Sequence, residues 1–390
     1  MRISDKYQWR QLSSDDGHYF FGYYDRNPWN EDNSFHLALK VQQCSRLPLA
    51  GEKADIGYIE KSSGKFIPCA QTRAWCHQQG AMQQWLKHIP NAFIYNDFDV
   101  EKKRLVSKIY QIDKGIIGQY DRPVYVLSND GKFGISLNFS RIPRRGYSYA
   151  DVPIPENYHP DIDNDGIILI NMQTGKHKLL VSYRQIIKEY SMQFELNDKY
   201  WWLNHPGFNI DSSKILFLFR HCDDPLQPSS WSTNMYTVGL DGSGLKCILP
   251  QVYWEDRISH QLWGRTSNEI LLDARWRNES SEYVTISDRS DFKTKLISKG
   301  MGPMGHLIFS NSGSHLLADT YPQKETQFLS KVNSQSGSVE IIGKFKHSQP
   351  PAFPVDVRCD LHPRWSNDDS IISVDSIHSG KRQIYILENH

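Results

Sequence analysis

The sequence lacks the features that mark several large protein classes. No apolar run approaches the ~18 residues a membrane-spanning helix needs, and the mean hydropathy is -0.58, so no membrane insertion is expected. No tract of five or more basic residues occurs, and 45 Lys and Arg face 44 Asp and Glu. Nothing therefore offers a surface that tracks a phosphate backbone, and no nucleic-acid partner is expected. The six cysteines, at 44, 69, 76, 222, 247 and 359, form no CxxC pair, which argues against both a zinc finger and a disulfide framework. The nucleophile elbow GxSxG, the P-loop, GxGxxG and HExxH are absent, so elbow hydrolases, P-loop enzymes, Rossmann oxidoreductases and zincins lack support. No nucleotide cofactor is expected. The opening MRISDKYQWRQLSSDDGHYFFGYYD has no secretory h-region, which makes the cytoplasm the expected location.

Helical periodicity is scarce, whereas large apolar side chains are plentiful: 11 Trp, 20 Tyr and 17 Phe, enough for burial to offset chain entropy. One pattern recurs. An aromatic or apolar residue is followed by Ser or Asn, a turn of Asp, Asn or Gly, and a β-rich apolar run. Copies start at Asp25, Gln83, Val126, His205, His260, His306 and His362, and each has the composition of a hairpin. Between them lie pieces such as IGYIEKSSGKFIPC and GIILINMQTGKHKLL, Gly turns flanked by alternating apolar residues. Four strands per repeat and seven repeats predict an all-β, single-domain, seven-bladed β-propeller over 1–390. An insertion at about 142–200, with a helical stretch VSYRQIIKEYSMQ, is expected on the binding face.

Four consecutive hairpins begin with His: His205, His260, His306 and His362. Residues at equivalent ends of successive inner strands converge on one mouth of a propeller channel, so these four predict a cluster. His306 and Asp319 sit symmetrically about the SNSGSH turn, and Cys359 and His362 stand three apart in VRCDLHPRW. His306, Asp319, Cys359 and His362 would suit a tetrahedral divalent site, and thiolate with imidazole favours zinc. Arg220, ending ILFLFR, and Arg275, ending LLDAR, are candidates to clamp a carboxylate. The segment from Arg144 and Arg145 to Tyr147 and Tyr149 puts two cations and two phenols on a Gly-hinged loop that could stack on sugar rings.

At these residues the chain resembles the β-propeller polysaccharide lyases, the oligogalacturonate and ulvan lyases. The likeness is carried by NHPGFNIDSSKILFLFR, SHQLWGRTSNEILLDAR, GHLIFSNSGSHLLADTYP and CDLHPRWSNDDSIISVDSIHSGKRQIYIL, over roughly residues 200–387. FGYYDRNPWN and WCHQQGAMQQW extend it more loosely, the second adding His77 as a substrate contact. The resemblance implies an acidic, uronate-containing oligosaccharide cleaved by β-elimination, with a metal near the last blades. It places His260 at the base position of the oligogalacturonate lyases and His306 and His362 at metal ligands. CDLH stands where those lyases complete their site differently, closer to the zinc-containing ulvan lyases, which favours zinc over manganese. From the ulvan lyase scheme, His205, Tyr147 or Tyr149, and Arg220 are candidates for base, acid and carboxylate clamp. Arg145 and Arg275 are further candidate substrate contacts. The rival expectation is a non-catalytic propeller that binds glycan or protein in the making of a surface polysaccharide.

Overall fold

In a computed structural model, each repeat becomes one four-stranded antiparallel sheet, and seven such sheets stand in a ring as a seven-bladed β-propeller. The described residues are 7–190, 196–227, 230–254, 258–275, 281–289, 293–300, 302, 305–349 and 355–388. The inner strands, blade by blade, are His18–Phe20, Gln84–Trp85, Val126–Leu127, Tyr200–Phe208, Ile258–Trp263, Leu307–Phe309 and Arg364–Trp365. The ring is closed by the chain's own start: Arg10–Gln11 pairs with Gln383–Glu388 as the outer strand of blade 7, in register Arg10↔Ile386. Closure in this way covers a sheet edge that would otherwise stand open.

The second strands are the most deeply buried. In Lys214–Cys222 every residue from Ile215 to Phe219 is buried, because adjacent blades cover both faces; Leu216 and Leu218 pack with Ile270 and Leu272 of blade 5. This is why these runs read as continuous rather than alternating apolar sequence.

At the tip of each hairpin the recurring Ser or Asn has a structural task. The side-chain oxygens of Asn30, Ser128, Asn209, Ser310 and Ser366 accept from the backbone N–H five residues on, at 2.8–3.2 Å. Tips also bond to their neighbours. Asn209 Nδ2 donates to the Ser267 carbonyl of blade 5 (3.0 Å), and Asn311 Nδ2 to the Ser366 carbonyl of blade 7 (2.8 Å).

Two expectations need correction. The range 142–200 is not one insertion: Gly166–Asn171 and His177–Ser182 are the outer strands of blade 3, as their strand-period sequences require. What remains is an excursion over 137–165 and a helix, Tyr183–Glu189, started by a capping box between Ser182 and Gln185. Residues 191–193 of the expected helical stretch lie outside the described residues. The first repeat is also split. Its inner strand, His18–Phe20, precedes Asp25, and the chain rejoins the blade at a bridge between Trp29 and His36. The interruption brings Tyr23 and Tyr24 to the channel.

Candidate active site at the channel mouth

The four histidines occupy one register, each three residues before Phe208, Trp263, Phe309 or Trp365. His205, His260 and His362 have φ of 50°, 55° and 46°, the left-handed region in which a non-glycine residue is strained. In blades 4 and 5 the cause is a bulge: pairing slips between Asn204 and Gly207 and between Ser259 and Leu262. Such a bulge re-aims the side chain, here toward the axis. The rings meet there, His260 at 4.4 Å from His306 and His306 at 4.3 Å from His362.

Loops from the other blades close over them. The blade 1 excursion brings Tyr23 to 5.0 Å from His362 and Tyr24 to 4.8 Å from His306. It passes the Cys76–Gly80 turn so closely that a Cβ on Gly22 (φ 130°) would stand 2.7 Å from the Gln79 backbone, which explains the glycine. Gln78 Nε2 spans from blade 2 to the Val355 and Arg358 carbonyls (3.1 and 2.9 Å), joining the last loop to the cover.

The site has a buried floor and a partly exposed rim. On the floor, His306 Nδ1 lies 3.1 Å from both Asp319 oxygens, and His362 Nδ1 donates to the Gly22 carbonyl at 2.7 Å. With Nδ1 committed, Nε2 is the nitrogen each ring could offer a ligand, and His362 Nε2 is buried without a partner among the described residues. His306, Asp360 and His362 each bring a donor atom within 4.8 Å of the others. Burial alone would raise the Asp360 carboxyl, but the charge and two hydrogen bonds of Arg358 (2.6 and 3.0 Å) hold it below its ordinary range. Imidazoles with Nδ1–H anchored on oxygen, beside a charged carboxylate, fit a divalent cation.

Two of the expected ligands stand outside that group. Asp319 accepts from His306 Nδ1 and from the backbone N–H of His306 (2.6 Å) and His362 (3.0 Å), so it orients both histidines. Cys359 is buried, its N–H donating to Gln349 Oε1 (2.8 Å), and burial pushes its thiol above the ordinary range. Its neighbour Asp360, and not the thiol, groups with His306 and His362, so the argument for zinc from sulfur does not carry over to this donor set.

The rim gathers His205, Arg220, Tyr147, Arg144, Tyr321 and Arg358. His205 Nδ1 lies 3.3 Å from the Tyr125 hydroxyl, which accepts from Gln79 Nε2 (2.7 Å), and its ring is 5.3 Å from Tyr147. Burial, then the charges of Arg220 and Arg144, push His205 well below 6.5, so it is a neutral base at pH 7. Arg220 donates through Nε to Thr233 Oγ1 (3.1 Å) and has no carboxylate partner among the described residues. Burial lowers it to about 10, leaving it charged at neutral pH. His260 is deeper: its Nε2 meets the Tyr321 hydroxyl at 3.0 Å, its Nδ1 is buried without a partner among the described residues, and burial followed by His306 keeps it neutral.

Other candidates lie elsewhere. Tyr149 is a core residue, stacked on Phe139 at 5.1 Å and bonded to Asn96 Nδ2 (2.9 Å). Arg145 is turned onto its own loop, donating to Ser148 Oγ at 3.1 Å. His77 packs between Phe20 and Trp75 with Nε2 on the Arg46 carbonyl (2.8 Å), away from the histidine cluster. Arg275 directly follows the second strand of blade 5, Glu269–Ala274. The sequence reading missed Tyr23, Tyr24, Tyr321, Arg358 and Asp360. FGYYDR was visible as a motif, but nothing in it announced that an inner strand breaks there.

The fold and the site together define a seven-bladed propeller with a His, Tyr and Arg mouth over a His, Asp, His floor. Among solved structures the chain is similar to an oligogalacturonate lyase in complex with manganese (13% identity, TM-score 0.64). It is also similar to the oligogalacturonate lyase of Vibrio parahaemolyticus (15%, TM-score 0.64); each match covers 100% of this chain and 95% of the other. The β-propeller domain of Myceliophteria thermophila Cps50 (Swd1) matches over 98% of this chain at 11% identity and TM-score 0.52. At these identities the likeness is one of fold. No family model and no curated protein matches the sequence. Among the described residues no helix is long and apolar enough to cross a membrane.

Proposed function

We propose that the protein is a lyase that cleaves a uronate-containing glycan by β-elimination at the channel mouth. The observation that carries this is Arg220, a half-buried guanidinium without a carboxylate partner among the described residues, set beside His205, a histidine held neutral. The pair matches what elimination needs. Charge builds on the C6 carboxylate of a uronate when C5 loses its proton, so a cation must face that carboxylate while a neutral base faces C5–H. His205 takes the C5 proton, the C5–H electrons form the C4=C5 double bond, and the C4–O bond breaks with its pair on the leaving oxygen. Tyr147, 5.3 Å from His205 ring to ring, would protonate that oxygen. His260 with Tyr321 is a second base and acid pair, favoured by their 3.0 Å hydrogen bond and by the resemblance that assigns His260 this role.

His306, Asp360 and His362 would hold a divalent cation, zinc or manganese, with Asp319 and the Gly22 carbonyl fixing the rings. Such an ion supplies further positive charge toward a substrate carboxylate. The test is to incubate the protein with uronate oligosaccharides and follow the ultraviolet absorbance of the unsaturated product. A rise establishes the lyase; binding without any rise would sink it and leave a glycan-binding propeller.

A further inference from the structure

Trp231 belongs to two places at once. Its ring lies 5.5 Å from the guanidinium carbons of both Arg144 and Arg220, at the edge of the mouth. It also lines a cleft of about 590 Å³ on blade 4, with Asn197, Asp198, Lys199, His221 and Asp223. That volume is within the range of cavities that take small ligands. The cleft therefore begins where the mouth ends, and a chain leaving the mouth past Arg220 crosses the indole to reach it.

The charges on the two sides of Trp231 differ in sign. Toward the mouth stands Arg220, without a carboxylate partner among the described residues. Toward the cleft stand exposed Asp198 and Asp223 against Lys199, which is already paired with Asp223. An anionic sugar ring is drawn to the first side, whereas a second carboxylate would meet excess negative charge on the other. An indole with polar groups around it suits a ring that has one apolar face and hydroxyls at its edge.

We propose that this cleft is a second sugar subsite with Trp231 as its stacking platform, and that it takes a ring without a carboxylate, next in the chain to a uronate in the mouth. The preferred ligand is then a glycan in which uronate alternates with a non-acidic sugar, and not a homopolyuronate. This rests on the mouth being the uronate site.

The test is calorimetric titration of the full chain with hyaluronan tetrasaccharide, tetragalacturonate and free glucuronate. Trp231→Ala should weaken hyaluronan tetrasaccharide binding about tenfold more than it weakens glucuronate binding, while Trp231→Tyr, which keeps a stacking ring, retains most of the affinity. Reversing both cleft carboxylates, Asp198→Lys with Asp223→Lys, should tighten tetragalacturonate binding about tenfold on the same ligand. Unchanged tetrasaccharide affinity in Trp231→Ala, or tetragalacturonate binding indifferent to the charge reversal, overturns the subsite. The ultraviolet assay on the same ligands separates the two ideas. Trp231-dependent binding without unsaturated product keeps the subsite and removes the lyase; cleavage of tetragalacturonate regardless of Trp231 does the reverse.

Discussion

The two ends of each blade obey opposite rules. At the hairpin tips one device is repeated: an Asn or Ser caps the turn, and several tips also bond to the next, so Asn209 alone makes contacts at 2.9, 3.0 and 3.1 Å. At the channel mouth the same strands carry histidines at positive φ and, among the described residues, buried imidazole nitrogens without partners and a guanidinium with no carboxylate. Regularity at one end stabilises the ring; positive φ occurs there too, at Asn33, Ser212 and Asp369, but in capped turns, whereas at the other end it falls on histidines, beside buried polar atoms with no partner among the described residues. The difference predicts that changes at the rim of the mouth remove activity with little loss of stability, and that changes at the tips do the opposite.

The largest expected effect is at the rim. Arg220→Met should lower kcat/KM by about 10²- to 10³-fold, and His205→Ala by about 10²- to 10⁴-fold, with the melting temperature close to the parent's. If His260→Ala abolishes turnover while His205→Ala does not, the deeper pair with Tyr321 does the proton transfer. The pH profile gives an independent reading. A base must be unprotonated, and burial with Arg220 and Arg144 holds His205 below 6.5, so the acid limb of kcat/KM should fall at a pH lower than that of a free imidazole. A limb at or above 6.5 would exclude His205 from the role.

On the floor, His306→Ala and His362→Ala should each lose most of the bound divalent metal, measured by elemental analysis after dialysis, and lower the melting temperature with it. Asp360→Asn should weaken retention, whereas Cys359→Ala should keep the metal. The opposite ranking would return the thiol to the donor set and with it the case for zinc.

These pairs also show where sequence stops informing. The fold was legible because seven copies of one hairpin repeat the same turn chemistry, and the four histidines because they share a register. The ligand next to His362 was not legible: Cys359 and Asp360 are adjacent, and a single residue decides which side chain reaches the axis. Asp319 was legible as the partner of His306, but its acceptance of two backbone N–H groups, which makes it an orienting residue, needed the folded chain. Tyr147 and Tyr149 look alike in sequence, yet one meets His205 and the other Asn96. Tyr23 and Tyr24 escaped because a broken inner strand has no signature in hydrophobic period.

At the tips, Asn209→Ala removes hydrogen bonds to Ser213, Ser267 and Lys214 at a fully buried side chain. Leaving the Lys214 N–H and the Ser267 carbonyl unpaired should cost about 2 kcal/mol in denaturant unfolding, with kcat/KM unchanged. A parallel fall in activity would mean that the two ends of blade 4 are coupled.

The smallest effect tests the strain on which the comparison rests. Lys103 has φ 49° in an exposed turn between the strands Ala92–Asp99 and Arg104–Gln111, far in function from the mouth but in the same backbone region as His205, His260 and His362. A side chain there costs about 1–2 kcal/mol relative to glycine, while glycine gives up roughly 0.5–1 kcal/mol through the entropy of the unfolded chain. Lys103→Gly should therefore stabilise by about 0.5 kcal/mol without touching activity. If it destabilises instead, positive φ carries no net strain in this ring, and the bulged histidines are held at the axis by pairing geometry alone.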